Sequence, residues 1–114
     1  MRDVGERLRD ILEAIERIER RSVRDKAALE ADELLQVWMI HHLQTIGEAC
    51  RAIPEEFRER HSDIPWSRII GMRHILVHHY FEIDVDLVWS AIETELPGMT
   101  DAMRKLLAEV TRRG

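Results

Sequence analysis

Apolar side chains recur every three or four residues along most of the chain, which is the spacing of helices that bury one face. Near the start they form a single stripe, made of Val4, Leu8, Ile11, Leu12, Ile15 and Ile18. Charged residues occupy most of the other positions there. The pattern predicts an amphipathic first helix over about residues 3–21 and, after a short break, Asp25 as the N-cap of a second helix.

The second predicted helix, over about residues 26–52, has apolar residues on more than one side. They are Leu29, Leu34, Val37, Trp38, Ile40, Leu43, Ile46 and Cys50. A helix with this distribution contacts more than one neighbour. It is therefore predicted to be the central helix of a bundle or part of a subunit interface.

Four more helices are predicted in the rest of the chain. A short one has Pro54 at its first position, and a longer one covers about residues 65–79. Asp84 is the expected N-cap of the next, and Pro97-Gly98 should break or kink the chain before a last helix over about residues 99–111. No strand pattern or internal repeat is evident. We expect one all-α domain over residues 1–114, an up-and-down bundle of four to five main helices.

Composition narrows the functional classes. The chain is 45% hydrophobic and 34% charged, which is typical of a soluble helical domain and not of a disordered one. No apolar run approaches the length of a membrane helix, and the start lacks the apolar core of a signal peptide. Cys50 is the single cysteine, so a cytoplasmic location is expected. The net charge of −5 disfavours a general basic surface for nucleic acid, so any such contact should be local.

One segment differs from the rest of the amphipathic pattern: Arg73-His74-Ile75-Leu76-Val77-His78-His79-Tyr80. It places a guanidinium, three imidazoles and a phenol within about two helical turns. Arginine binds phosphate with a planar fork of donors, and histidine exchanges protons near neutral pH. Together they are suited to cleaving a phosphodiester without a metal ion.

The positions of these residues on a helix restrict how they can meet. Arg73 falls among apolar positions, so it must reach out to solvent, bind an anion or pair with a carboxylate. The residues alone favour an internal salt bridge, with Glu48 as the candidate partner. Arg73 and His78 lie about 140° apart on an ideal helix. They would meet on one phosphate only if the helix loosens at its end, or if a twofold partner supplies the second group in a shared cleft.

Other chemistry is less favoured. His74 and His78 have a spacing that can bind zinc, but no cysteine or carboxylate completes a set, so neither a metal nor another cofactor is predicted.

His41 and His42 point in different directions, which favours one at an interface and one exposed. Cys50 lies on the apolar stripe and is predicted to be core. The tryptophans are predicted packing anchors: Trp38, Trp66 and Trp89. The residues alone leave the function open.

Five runs occur in order between residues 46 and 89: Ile46-Gly47-Glu48-Ala49, Ile64-Pro65-Trp66, Gly71 through Tyr80, Ile83-Asp84 and Val88-Trp89. They resemble the HepT-like family of HEPN-domain ribonuclease toxins. The family signature is Arg, four residues, His, any residue, Tyr, which Arg73, His78 and Tyr80 satisfy. The position after the arginine is usually polar in that family, often Asn, and here it is His74.

The resemblance implies a HEPN-like homodimer whose two motif helices line one cleft, with metal-independent endoribonuclease activity on tRNA or mRNA. It implies Arg73 and His78 as catalytic residues, with His74 and His79 supporting them. His79 also fits the looser family spacing, but the position of Tyr80 favours His78. The expected partner is an MNT-type nucleotidyltransferase antitoxin, which in such pairs adds AMP to the motif tyrosine, here Tyr80.

A non-catalytic function is the alternative. The motif cluster would then hold a nucleotide or dock the nucleotidyltransferase, and the protein would cleave nothing. The acidic net charge favours this alternative somewhat, because RNA binding must overcome it.

Overall fold

The computed structural model describes residues 3–21, 23–78 and 83–113, and the side chains of residues 74–78 and 113 lie outside that description. Every regular element in the described part is helical. The elements are α1 (Val4–Arg20), α2 (Lys26–Glu30), α3 (Glu33–Ala52), α4 (Glu55–Arg60), α5 (Trp66–His78), α6 (Val85–Ser90), a π-helical segment (Ala91–Glu95) and α7 (Leu96–Arg113). The predicted all-α class is confirmed.

Aspartate side chains begin four of these helices. Asp3, Asp25, Asp32 and Asp84 each accept a hydrogen bond from the backbone N–H three residues later, at 2.8–3.1 Å. The first N–H groups of a helix have no partner inside the helix, so each carboxylate satisfies one of them. The predicted caps at Asp25 and Asp84 are therefore confirmed.

The predicted continuous helix over residues 26–52 is wrong, because it is divided at Ala31 and Asp32. Asp32 turns its carboxylate onto the N–H of Leu35 and so starts α3 as a separate helix. The Gln36 side-chain amide then donates to the carbonyls of Leu29 and Glu30, at 2.9 and 3.2 Å. Those carbonyls belong to the end of α2, where intrahelical donors run out.

Pro97-Gly98 was predicted to break or kink the chain, and the break is wrong, because helical structure is continuous from Val85 to Arg113. The π-helical segment lies just before Pro97, and there the N–H of Leu96 donates to the carbonyl of Ala91, five residues back. Proline has no N–H and cannot complete the usual bond four residues back. The wider π-helical turn accommodates this loss within the helix. Pro54 was predicted at the first position of a short helix, but it occupies the N-cap of α4, which begins one residue later.

The core forms around α3, which packs against α1 on one side and α5 on the other, while α1 also packs against α7. The prediction of a central helix with several neighbours is confirmed. The most completely buried large side chains are Leu8, Ile11, Ile15, Leu29, Met39, Leu43, Ile46, Ile53, Ile69, Met103, Val88 and Cys50. Burial raises the pKa of the Cys50 thiol to about 12, as suits a core residue. Among the described residues, no helix has the length and apolar character needed to cross a bilayer.

Candidate active site

The candidate site lies where α5 crosses α3, and a glycine sets the distance between the two helices. A β-carbon on Gly47 of α3 would overlap the Cβ of Arg73, and it would lie 2.7 Å from Cγ and 3.4 Å from Cδ. The aliphatic part of the Arg73 side chain therefore lies directly against the α3 backbone. Only glycine leaves room for this contact, so the position of Arg73 depends on the residue type at position 47.

The guanidinium of Arg73 lies beside a carboxylate of α3. Its Nη2 donates to Oε1 of Glu48 at 3.4 Å. The Arg73 side chain is 19% exposed, whereas that of Glu48 is 62% exposed. The pairing predicted from the apolar surroundings of Arg73 is therefore confirmed, and the carboxylate approaches from the solvent side.

Among the described groups, the pairing with Glu48 leaves one hydrogen-bond donor of the guanidinium without an acceptor. Arg73 Nε is buried, and no described group accepts a hydrogen bond from it. The contact to Glu48 is also longer than the 2.7–2.9 Å typical of a charge-assisted hydrogen bond. A buried donor without an acceptor costs free energy, so the site has the chemistry to bind an additional anion.

Other contacts fix the first part of α5. Trp66 is buried, and its indole Nε1 donates to the carbonyl of His61 at 2.9 Å, which confirms it as a packing anchor. Arg68 Nη1 contacts the two carboxylate oxygens of Glu95 in the π-helical segment, at 3.2 and 3.4 Å. The helix is thus held at its start by these contacts and further along by the contact between Gly47 and Arg73.

The remaining predicted site residues are less fully described. His74 and His78 belong to the helical backbone of α5, but their side chains lie outside the described part. His79 and Tyr80 lie outside the described residues altogether. The meeting of Arg73 and His78 on one phosphate therefore stays a prediction.

A second histidine cluster occurs between α1 and α3, away from the motif. His42 is buried and its ring lies 4.4 Å from that of Trp38, whereas His41 is exposed, 5.0 Å from His42 between ring centroids. The predicted exposure of one of the two histidines is confirmed, and the other is buried within the chain. Burial, followed by the charges of His41 and Arg17, lowers the pKa of His42. Within the described ranges, no group of three or more potential ligands is arranged to hold a metal ion.

Gly47 is the residue of the site that the sequence analysis did not single out. Gly47 was named there only as a member of the run at residues 46–49 that resembles the family. An isolated glycine inside a helical pattern was the available signal, because such a glycine weakens the helix and usually has a packing reason.

Comparisons with known proteins identify the family of the chain. The family described as "Ribonuclease HepT-like" matches residues 11–106. A Thermococcus cleftensis protein named "Probable ribonuclease HepT" is 38% identical over 101 residues, which cover 87% of this chain and 91% of that protein. A Methanocaldococcus jannaschii protein named "Gamma-glutamylcyclotransferase and putative RNase" is 34% identical over 113 residues. The match covers 97% of this chain and 50% of that protein, so the chain spans about half the length of this relative.

No solved structure matches the chain. The family match nevertheless covers well over half of the sequence and includes α3, α5 and the motif segment, residues 73–80. The chain belongs to the ribonuclease HepT-like family.

Proposed function

We propose that this chain is a metal-independent endoribonuclease and the toxin of a toxin–antitoxin pair, cleaving RNA in a cleft formed by two subunits. One observation carries the proposal: Arg73 is held against Gly47, and its buried Nε has no acceptor among the groups that the structure describes. Such an arginine is a preorganised ligand for a phosphate oxygen. Membership of a ribonuclease family supports RNA as the source of that phosphate.

The proposed reaction is an internal transfer within the RNA. The ribose 2′-oxygen loses its proton to His78 and attacks the adjacent phosphorus, while the bond from phosphorus to the 5′-oxygen breaks. The departing 5′-oxygen takes a proton from an imidazolium, supplied by the His78 of either subunit. The products are a 2′,3′-cyclic phosphate and a 5′-hydroxyl. Arg73 stabilises the negative charge that builds on the other phosphorus oxygens.

A homodimer is part of this proposal. Because positions 73 and 78 are about 140° apart on an ideal helix, a single such helix would not bring Arg73 and His78 onto one phosphate. Two copies related by a twofold axis can direct the arginine of one and the histidine of the other into one cleft. His74 and His79, the neighbours in the motif, would tune the proton chemistry there.

Regulation by a nucleotidyltransferase antitoxin of the MNT type completes the proposal. Transfer of AMP from ATP to the hydroxyl of Tyr80, seven residues after Arg73, with pyrophosphate as the leaving group, would add bulk and a negative charge near the motif. The new phosphate would repel RNA and compete for Arg73, which gives an electrostatic route to inactivation. Intact mass of the chain co-produced with such an enzyme would reveal the added AMP.

The alternative is a non-catalytic module that binds a nucleotide or docks the nucleotidyltransferase through the same motif. The net charge of −5 and the Glu48 carboxylate beside Arg73 favour it, because both oppose RNA binding. The non-catalytic module and the ribonuclease predict different results for motif variants. If the module is correct, these variants lose partner or nucleotide binding without any change in RNA integrity.

The deciding experiment is RNA cleavage by purified, AMP-free protein in the presence of EDTA. We expect cyclic-phosphate products from the wild-type chain, and losses of about 10²-fold or more for Arg73→Ala and for His78→Ala. Arg68→Ala is the matched control: it removes an exposed arginine from the same helix together with its contact to Glu95, so it shows how much of any loss comes from disturbing α5. Intact RNA after incubation with the wild type would reject the enzyme, and loss of activity in EDTA would reject the metal-independent mechanism.

A further inference from the structure

Resting on the proposed function, we infer that Glu48 is an exchangeable counter-ion of Arg73. In the free protein its carboxylate occupies the place of the substrate phosphate, and RNA displaces it on binding. Glu48 thereby weakens RNA binding without taking part in the reaction. Three features of the contact between α3 and α5 support this assignment.

The first feature is that Arg73 does not need Glu48 for its position. Its Cβ and Cγ lie against Gly47, where even one added carbon atom would not fit. The side chain is therefore fixed by packing, along the part that carries no charge. Removing the carboxylate leaves this packing in place, so the guanidinium should remain available to substrate.

The second feature is the weakness of the pair. Nη2 and Oε1 are joined by a single contact of 3.4 Å, and Glu48 is largely exposed. Exposed ion pairs with imperfect geometry contribute little, because water competes for both partners. A phosphate has several oxygens and can accept two parallel hydrogen bonds from one guanidinium. The buried Nε, which has no acceptor among the described groups, offers a further donor.

The third feature is the location of the carboxylate once it is displaced. Glu48 adjoins Gly47 on α3, so its backbone stays at the contact between α3 and α5. The carboxylate must stay near the bound phosphodiester, where the two negative charges repel each other. This repulsion raises the KM for RNA, whereas the reacting atoms are unaffected and kcat should not change.

The test compares Glu48→Gln with Glu33→Gln. Both remove one negative charge from an exposed position of α3, but position 33 is fifteen residues away, about 22 Å along the helix. Binding is measured with a 2′-O-methyl RNA, which cannot be cleaved, and steady-state kinetics with the unmodified RNA. We expect Glu48→Gln to lower both Kd and KM by about two- to five-fold with kcat within a factor of two, and Glu33→Gln to match the wild type.

The outcomes separate this inference from the ribonuclease proposal. Suppose that the wild type cleaves RNA but Glu48→Gln has an unchanged or higher KM, or a reduced kcat. Glu48 then positions Arg73 or acts in catalysis, so the counter-ion role is rejected while the ribonuclease proposal stands. An equal gain in affinity for Glu33→Gln also rejects it, because the effect would be one of net charge. If wild type and Arg73→Ala neither bind nor cleave RNA, the ribonuclease proposal fails and this inference fails with it.

Discussion

Gly47 and Arg73 occupy adjoining helices at a distance that excludes any side chain at position 47. The β-carbon missing from Gly47 would overlap the first carbons of the arginine side chain. The packing of α3 on α5 and the placement of the guanidinium are thus one structural feature. A change that separates the helices must also move the charge.

Replacing Gly47 by alanine tests this coupling. The added methyl group must push α5 away, so we expect the free energy of unfolding to fall by about 1–3 kcal/mol, as for overpacked cores. RNA cleavage should fall further than stability explains, because Arg73 is displaced. The stability is measured by urea unfolding followed by circular dichroism, and cleavage is measured under conditions where the variant is fully folded.

Gly71→Ala is the matched control. Gly71 lies two residues before Arg73 on α5, and a β-carbon there would meet nothing within 4 Å. Alanine is the better helix former, so this variant should gain about 0.5–1 kcal/mol with cleavage intact. Equal stability of the Gly47 and Gly71 variants would contradict the coupling.

The residue pattern predicted the main helices and the pairing of Arg73 with Glu48. It succeeded because these features depend on local periodicity and on the cost of leaving a charge among apolar groups. The importance of Gly47 could not be predicted in the same way. It depends on how closely α3 and α5 approach, and that distance is set by residues far apart in sequence.

The two errors in helix boundaries have a local cause. At Asp32 a polar side chain competed with the backbone and started a new helix, although the apolar spacing continued across it. At Pro97 the helix was predicted to end but continues. The wider π-helical turn just before it accommodates a residue type that usually ends a helix. Hydrophobic spacing reports which face is buried, but it does not report how backbone hydrogen bonds are rearranged.

Cys50 should be inert in the folded protein. Its pKa of about 12 leaves roughly one thiolate in ten thousand at pH 8, and the side chain is fully buried. We expect a thiol-specific reagent to label the native protein far more slowly than the protein in 6 M guanidinium chloride. The assay reports this residue alone because the chain has one cysteine. Native labelling as fast as denatured labelling would show that the core around α3 opens readily.

His42 should make the fold less stable in mild acid. Its pKa is lowered in the folded state, chiefly by burial, so below its ordinary value of 6.5 the unfolded chain binds a proton that the folded chain does not. Its contribution to stability is therefore lost as pH falls from 6.5 toward the folded-state pKa. We expect the melting temperature to drop less between pH 7.5 and 5.5 in His42→Gln than in the wild type.

The neighbouring charges define the control for this experiment. Asp10, Glu13, Arg17 and His41 line the same cleft between α1 and α3 as His42. His41→Gln removes a lesser cause of the lowered His42 pKa and leaves burial, the largest cause, in place, so this variant should retain most of the pH dependence of the wild type. Equal slopes for the His42 variant and the wild type would assign the acid sensitivity to other groups.

Subunit mixing tests whether the cleft is shared. A heterodimer of Arg73→Ala and His78→Ala chains, isolated through two affinity tags, carries its intact arginine and its intact histidine on different protomers. Because positions 73 and 78 are about 140° apart on an ideal helix, we expect the heterodimer to recover RNA cleavage well above that of either variant homodimer. Each homodimer lacks one type of group entirely, so the gain can arise only across the subunit boundary. A heterodimer as inactive as its parents would instead place Arg73 and His78 of the same protomer on one phosphate, which requires α5 to loosen near its end.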